Sequence, residues 1–118
     1  MALESLRSSA EFGALLSTRP VAVSGSYALH SSAASVLRLG LIVPKKCIRS
    51  AVARNKVKRW SRVLLRQHGL EPQSVLLRVR HKVAMGTPQE RHQQWLLLSS
   101  LFQRGLQNTR SSAQVSSC

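Results

Sequence analysis

Apolar residues recur along the chain with two different periods, and the changes between them divide it into six elements. Ser8-Ser9-Ala10-Glu11 has the Ser-x-x-Glu form of a capping box, with Phe12, Leu15 and Leu16 on one helical face behind it, and predicts a short helix over 9–17. Pro20 disfavours helical backbone at Arg19, so the chain turns extended there. From Val21 to His30 the residues alternate, Val21, Val23, Tyr27 and Leu29 against Ala22, Ser24, Ser26, Ala28 and His30. That predicts a strand with a bulge or bend at Gly25. A small-residue turn over 31–35 leads to a second alternating run over 36–43, with Leu37, Leu39, Leu41 and Val43 on one face. So short a link predicts an antiparallel hairpin. Pro44, which has no N–H for a ladder, ends the second strand.

At Ser50 the period lengthens. Ala53, Val57, Trp60 and Leu64 follow at helical spacing, predicting a helix to about residue 67 that Gly69 and Pro72 close. A third strand over 74–80 sets Val75, Leu77 and Val79 against Leu76, Arg78 and Arg80. Thr87-Pro88-Gln89-Glu90 then combines an N-cap, a proline at the first helical position and a glutamate at the third. The helix it starts directs Trp95, Leu98, Leu101 and Phe102 inward and is expected to stop near Gly105. Residues 106–118 are Ser-rich and aperiodic, which predicts a disordered tail. The order helix-strand-strand-helix-strand-helix describes an α+β sandwich, a single domain over 1–105 with one sheet covered by helices. No apolar run approaches the ~18 residues of a membrane span. Arg7 and Arg19 in a Ser/Ala-rich start have the look of a transit peptide, but Glu4, Glu11 and the helix signals count against it.

Charge changes the picture from a small fold to a partner. The chain carries a net charge of +14, and ten of its 18 Lys and Arg residues fall between Arg38 and Arg66. No acidic residue occurs from Phe12 to Leu70. At 100° per residue Arg54, Lys58, Arg62, Asn55, Arg66 and Arg59 occupy an arc of about 140° opposite the apolar stripe of the second helix. Solvated helix faces ordinarily mix signs. A row of like charges four residues apart weakens an isolated helix, and phosphates relieve it, so the expected partner is a nucleic acid. The four acids, Glu4, Glu11, Glu71 and Glu90, are too few and too scattered to hold the Mg²⁺ of a metal-dependent nuclease. His30, His68, His81 and His92 lack zinc-ligand spacing, and Cys47 and Cys118 form no Cys-x-x-Cys pair, so no metal site and no catalytic residue is expected in the protein. Two cysteines without secretory context point to a reducing compartment.

The run Arg38-Leu39-Gly40-Leu41-Ile42-Val43-Pro44-Lys45-Lys46, followed by Ala51-Val52-Ala53-Arg54-Asn55-Lys56-Val57-Lys58-Arg59 and Arg62, resembles the signature of the bacterial ribonuclease P protein component. In that family a strand ending in a Lys pair leads into a helix with an Arg-Asn-Arg-x-x-Lys-Arg motif. The resemblance covers roughly residues 6–105, including Glu11-Phe12 and Leu101-Phe102. It implies a sheet with a left-handed βαβ crossover and a subunit that assists a catalytic RNA in removing the 5′ leader of precursor tRNA. It further implies that Lys45, Lys46, Arg54, Asn55, Lys56, Lys58, Arg59 and Arg62 contact the catalytic RNA. A cleft with Phe12, Leu16, His30 and Arg80 would receive the leader. No cofactor is implied for the protein alone, Mg²⁺ is implied in the RNA–protein complex, and the implied location is the bacterial cytoplasm, with no membrane partner. Oligomeric state is left open. The sequence departs from the family pattern in Lys56 for the second Arg, in Leu16 and His30 at places where aromatics are common, and in having Arg7 alone before the first helix. A ribosomal or general RNA-binding protein would explain the charge equally well, but not the combined spacing of the Lys pair and the Arg-Asn-Lys-x-Lys-Arg run.

Overall fold

The computed structural model describes residues 4–6, 8–69 and 71–117, with the side chains of Glu4 and 107–117 excepted. Arg7 and Cys118 lie outside the described residues. Its elements are β1 (Glu4–Ser5), α1 (Ser9–Leu16), β2 (Ala22–Ser24), β3 (Tyr27–Ala33), β4 (Arg38–Ile42), α2 (Ala51–His68), β5 (Gln73–Val79) and α3 (Pro88–Ser117). The starts of α1 and α3 are the ones their capping boxes predict, and Ser50, where the helical period begins, is the N-cap of α2. Ser8 and Ser50 accept from the N–H groups of Glu11 and Ala53. At α3, Thr87 Oγ1 accepts from Glu90 N–H while Glu90 Oε1 accepts from Thr87 and Gly86 N–H, a complete reciprocal box.

The strand expected over 21–30 is two strands. Gly25 and Ser26 form the two-residue link between β2 and β3, with Gly25 at φ 57° and no non-glycine residue at positive φ among the described residues, the pattern of a type II′ hairpin. The hairpin expected between 21–30 and 36–43 does not form. The sheet runs β1-β4-β5-β3-β2, so β5 separates β3 from β4, antiparallel to the first and parallel to the second. The reason lies in β5 itself, whose Val75, Leu76, Leu77 and Val79 are buried on both faces and therefore claim a central position. Crossing one strand spans about 10 Å, within reach of the short 34–37 link.

Alternation on the strands sorts the side chains into two cores. Tyr27, Leu29, Leu37, Leu39, Val75, Leu77 and Val79 pack with Val57, Leu64 and Leu65 of α2 and Leu98, Leu101, Phe102 and Leu106 of α3. On the opposite face Leu76 packs with Leu6, Leu15, Phe12 and Ile42 beneath α1. The sheet is thus covered on one face by α2 and α3 and on the other by α1. Tyr27 is fully buried, and its hydroxyl donates to Gln94 Oε1 of α3 at 2.7 Å.

Gly105 does not end the last helix. A Cβ there would lie 2.8 Å from Leu29 Cδ2, so this glycine serves the close approach of α3 to β2 and β3. Leu106, assigned by the sequence to a tail, is 2% exposed, and the helix continues to Ser117. Of the tail expected over 106–118, the side chains of 107–117 and the whole of Cys118 lie outside the described residues.

Candidate nucleic-acid interface

The parallel pair β4–β5 is connected through α2, which sets the N-terminal end of that helix at the C-terminal edge of the two strands. Lys45 and Lys46 occupy the intervening turn and are exposed. Five residues of α2 are buried, Ala53, Val57, Ser61, Leu64 and Leu65, and Trp60 packs edge-on against Trp95 of α3 with ring centroids 5.7 Å apart. Ser61 and Leu65 are missing from the stripe expected from sequence. The Ser61 hydroxyl donates to Val57 O at 2.8 Å, which makes its burial inexpensive. Leu65 falls on the wheel between Arg54 and Lys58, so the buried face is wider than the stripe and those two cations stand at its border.

Both are accordingly half-buried, whereas Asn55, Arg59, Arg62 and Arg66 are exposed. Arg54 turns back toward the helix start, its Nη1 donating to Ile48 O at 3.0 Å and Arg49 O at 2.8 Å. That bond pair holds the turn before the helix. Lys56 is half-buried on the other border. Among the described residues, the side chains of Asn55, Lys56, Lys58, Arg59, Arg62 and Arg66 have no hydrogen bond or ion pair within the chain. Arg38, by contrast, is paired with Glu11 at 3.0 Å and ties β4 to α1.

The second group of sequence-predicted residues lies across the sheet. Phe12 is half-buried over Gly40, where a Cβ would come within 2.9 Å of the ring. Leu16 is 37% exposed at the end of α1, and Arg80 is exposed just beyond β5. His30 is different. It is 2% exposed, beneath the end of α1, with Nδ1 3.4 Å from Thr18 Oγ1 and Nε2 without a partner. The Thr18 hydroxyl already donates to Leu15 O at 2.6 Å, so Nδ1 is the donor in the pair and Nε2 carries a bare lone pair. Burial lowers the His30 pKa, with Arg78 and Arg80 adding to the effect and hydrogen bonds at Thr18 and Leu15 opposing it. Arg78 joins this surface although only Arg80 was selected from sequence. The signal was present, because residues two apart on a strand share a face.

The uncompensated cationic face of α2, and the exposed Arg78 and Arg80 at the end of β5, fit a polyanion. The family model for ribonuclease P matches residues 2–104. The chain belongs to the ribonuclease P protein family. It is therefore the accessory protein subunit of a ribonucleoprotein endoribonuclease of tRNA processing, and its partner is the RNA subunit. Its fold is similar to that of the Staphylococcus aureus RNase P protein, at 19% identity and a TM-score of 0.62 over 87% of this chain and 92% of that one. A mutant of the S. aureus protein with defective mRNA degradation activity aligns at 18% identity and a TM-score of 0.62, over 90% of this chain and 87% of that one. No curated protein matches the sequence.

Among the described residues no group of three or more His, Cys, Asp or Glu side chains could hold a metal ion, and no helix is long and apolar enough to cross a membrane.

Proposed function

We propose that the exposed face of α2, with Lys45 and Lys46, docks the catalytic RNA of ribonuclease P, and that the groove between α1 and the sheet takes the single-stranded 5′ leader of precursor tRNA. The supporting observation is the run of cations on α2 that have neither an acidic neighbour in sequence nor a bonding partner among the described residues. Folding gains nothing from such a face, and phosphates relieve its repulsion. Arg59, Arg62 and Arg66 present guanidinium forks outward, while Arg54 acts chiefly by holding the 48–49 turn. In the groove, Phe12 and Leu16 offer apolar edges to bases, Arg78 and Arg80 neutralise phosphates, and His30 supports the floor from beneath. In this reading the RNA holds the Mg²⁺ of the reaction, and the complex works in the cytoplasm.

Reconstitution tests this reading. Added to a bacterial catalytic RNA, the full chain is expected to lower the Mg²⁺ concentration needed for leader removal, and to cleave no precursor tRNA by itself. RNA binding without any change in that requirement supports a general RNA-binding protein instead. Mg²⁺-dependent cleavage by the RNA-free chain overturns the proposal.

A further inference from the structure

We infer that a cavity of about 520 Å³ beside the N-terminal end of α2 binds one unpaired nucleotide of the RNA partner, its base on an apolar floor and its phosphate among Arg49, Lys56 and Arg91. The inference rests on the RNA-docking reading of α2. The floor is Ile48, Val83 and Met85, of which Ile48 is 2% and Met85 9% exposed. The volume lies within the ~300–1,000 Å³ typical of small-molecule sites.

The walls come from two distant stretches of chain that are fastened to each other without a ligand. Val83 N–H donates to Cys47 O at 3.0 Å, joining the loop after β5 to the turn before α2. Arg54 Nη1 holds the carbonyls of Ile48 and Arg49 from one side. Arg91 Nη1 reaches Met85 O at 3.3 Å from the other. A cavity held this way is formed in advance, so little ordering cost falls on binding.

Its chemistry has two halves. Three cations border it, and no acidic side chain lines it. The neighbouring Glu90 is engaged by the N–H groups of Gly86 and Thr87 in the α3 capping box. Among the described residues the Arg49 and Lys56 side chains have no bonding partner, and Arg91 keeps the remaining donors of its guanidinium. A simple anion would leave the apolar floor unused, and an apolar ligand would leave three cations unneutralised. A nucleotide satisfies both halves. The cavity also opens at the C-terminal edge of a parallel strand pair, the usual ligand position in such sheets, next to Lys45, Lys46 and the exposed face of α2. An RNA strand lying along α2 therefore passes its mouth.

The test uses the full chain and adenosine 5′-monophosphate as the probe, with adenosine and inorganic phosphate beside it, read by NMR on methyl groups and amides. Adenosine monophosphate is expected to give saturable shifts at the Val83 and Met85 methyls and at the Arg49 and Arg91 amides, with phosphate moving only the amides. Val52, 73% exposed on the cavity rim in the first turn of α2, supplies the variant. Val52→Asp places a carboxylate where a helix tolerates it, so the fold is kept while the anion is repelled. Its affinity for the nucleotide, and for the catalytic RNA, should fall about tenfold, as for loss of one charge-assisted contact. Leu96→Asp, an exposed position on α3 outside the cavity, makes the same charge change and should bind the nucleotide like the wild type. Unshifted Val83 and Met85 methyls, or equal losses in the two variants, overturn the inference. If Val52→Asp binds catalytic RNA as tightly as the wild type does, the site is refuted while the docking of α2 stands. A wild type that saturates with nucleotide but ignores catalytic RNA refutes the docking and leaves the cavity a nucleotide site.

Discussion

Arg62→Ala should make the free protein more stable while making it a poorer ligand for RNA. Arg62 is exposed and bonds to nothing among the described residues, yet Lys58 and Arg66 lie four residues to either side and Arg59 three residues before it. Like charges at those spacings cost about 0.2–0.5 kcal/mol per pair at low salt, so removing Arg62 relieves about 0.5–1.5 kcal/mol. For a chain of this size that raises Tm by about 2–6 °C in low-salt calorimetry, and the gain should shrink as added salt shortens the screening length. On the proposed docking of α2, the same substitution removes one phosphate contact from the complex. The log–log slope of affinity against salt should flatten by about 0.7–0.9, and affinity should drop about fivefold at 0.15 M salt. Arg54→Ala is the contrast. Losing its two charge-assisted bonds to Ile48 O and Arg49 O should lower stability by about 1–2 kcal/mol, discounted for partial exposure. A lower Tm for Arg62→Ala, or an unchanged salt slope, would refute the reasoning.

Three further outcomes follow from particular contacts. Gly105→Ala should lower stability by about 1 kcal/mol in thermal melts despite the better helix propensity of alanine, because the new Cβ meets the fully buried Leu29 at 2.8 Å; a raised Tm would show that the α3 contact yields easily. Glu90→Ala removes the acceptor for two N–H groups at the start of α3 and should cost about 1 kcal/mol in urea titrations, with the m-value unchanged. His30 has a lowered pKa when folded, so the unfolded chain binds more protons; its stabilising contribution is whole above the unfolded value of about 6.5 and declines as pH falls from there toward the folded value. His30→Phe should flatten the Tm–pH curve over that window relative to the wild type, and an identical curve would remove His30 as a source of the slope.

What the sequence reveals here is what neighbours in sequence determine. The Ser8–Glu11 and Thr87–Glu90 boxes are legible because each closes within one helical turn, and the cationic arc is legible because the wheel needs only spacing. Strand pairing is a different kind of information. Alternation assigns faces to 36–43 and 74–80 but does not say which strand lies between which, and the hairpin inferred from a short link gave way to the burial demand of β5 on both its faces. Gly105 misleads for the same reason, since a helix-ending glycine and a close-packing glycine look alike until β2 and β3 are placed beside it. The site residues divide along the same line. Asn55, Arg59, Arg62 and Arg66 point outward as spacing predicts, whereas burial of Leu65 widens the buried face of α2 up to Arg54, which is half-buried and bonds the carbonyls of Ile48 and Arg49. An arginine of the cationic run can thus serve the fold through the backbone it holds. Its guanidinium fixes the carbonyls of Ile48 and Arg49 in the turn that forms one wall of the neighbouring cavity.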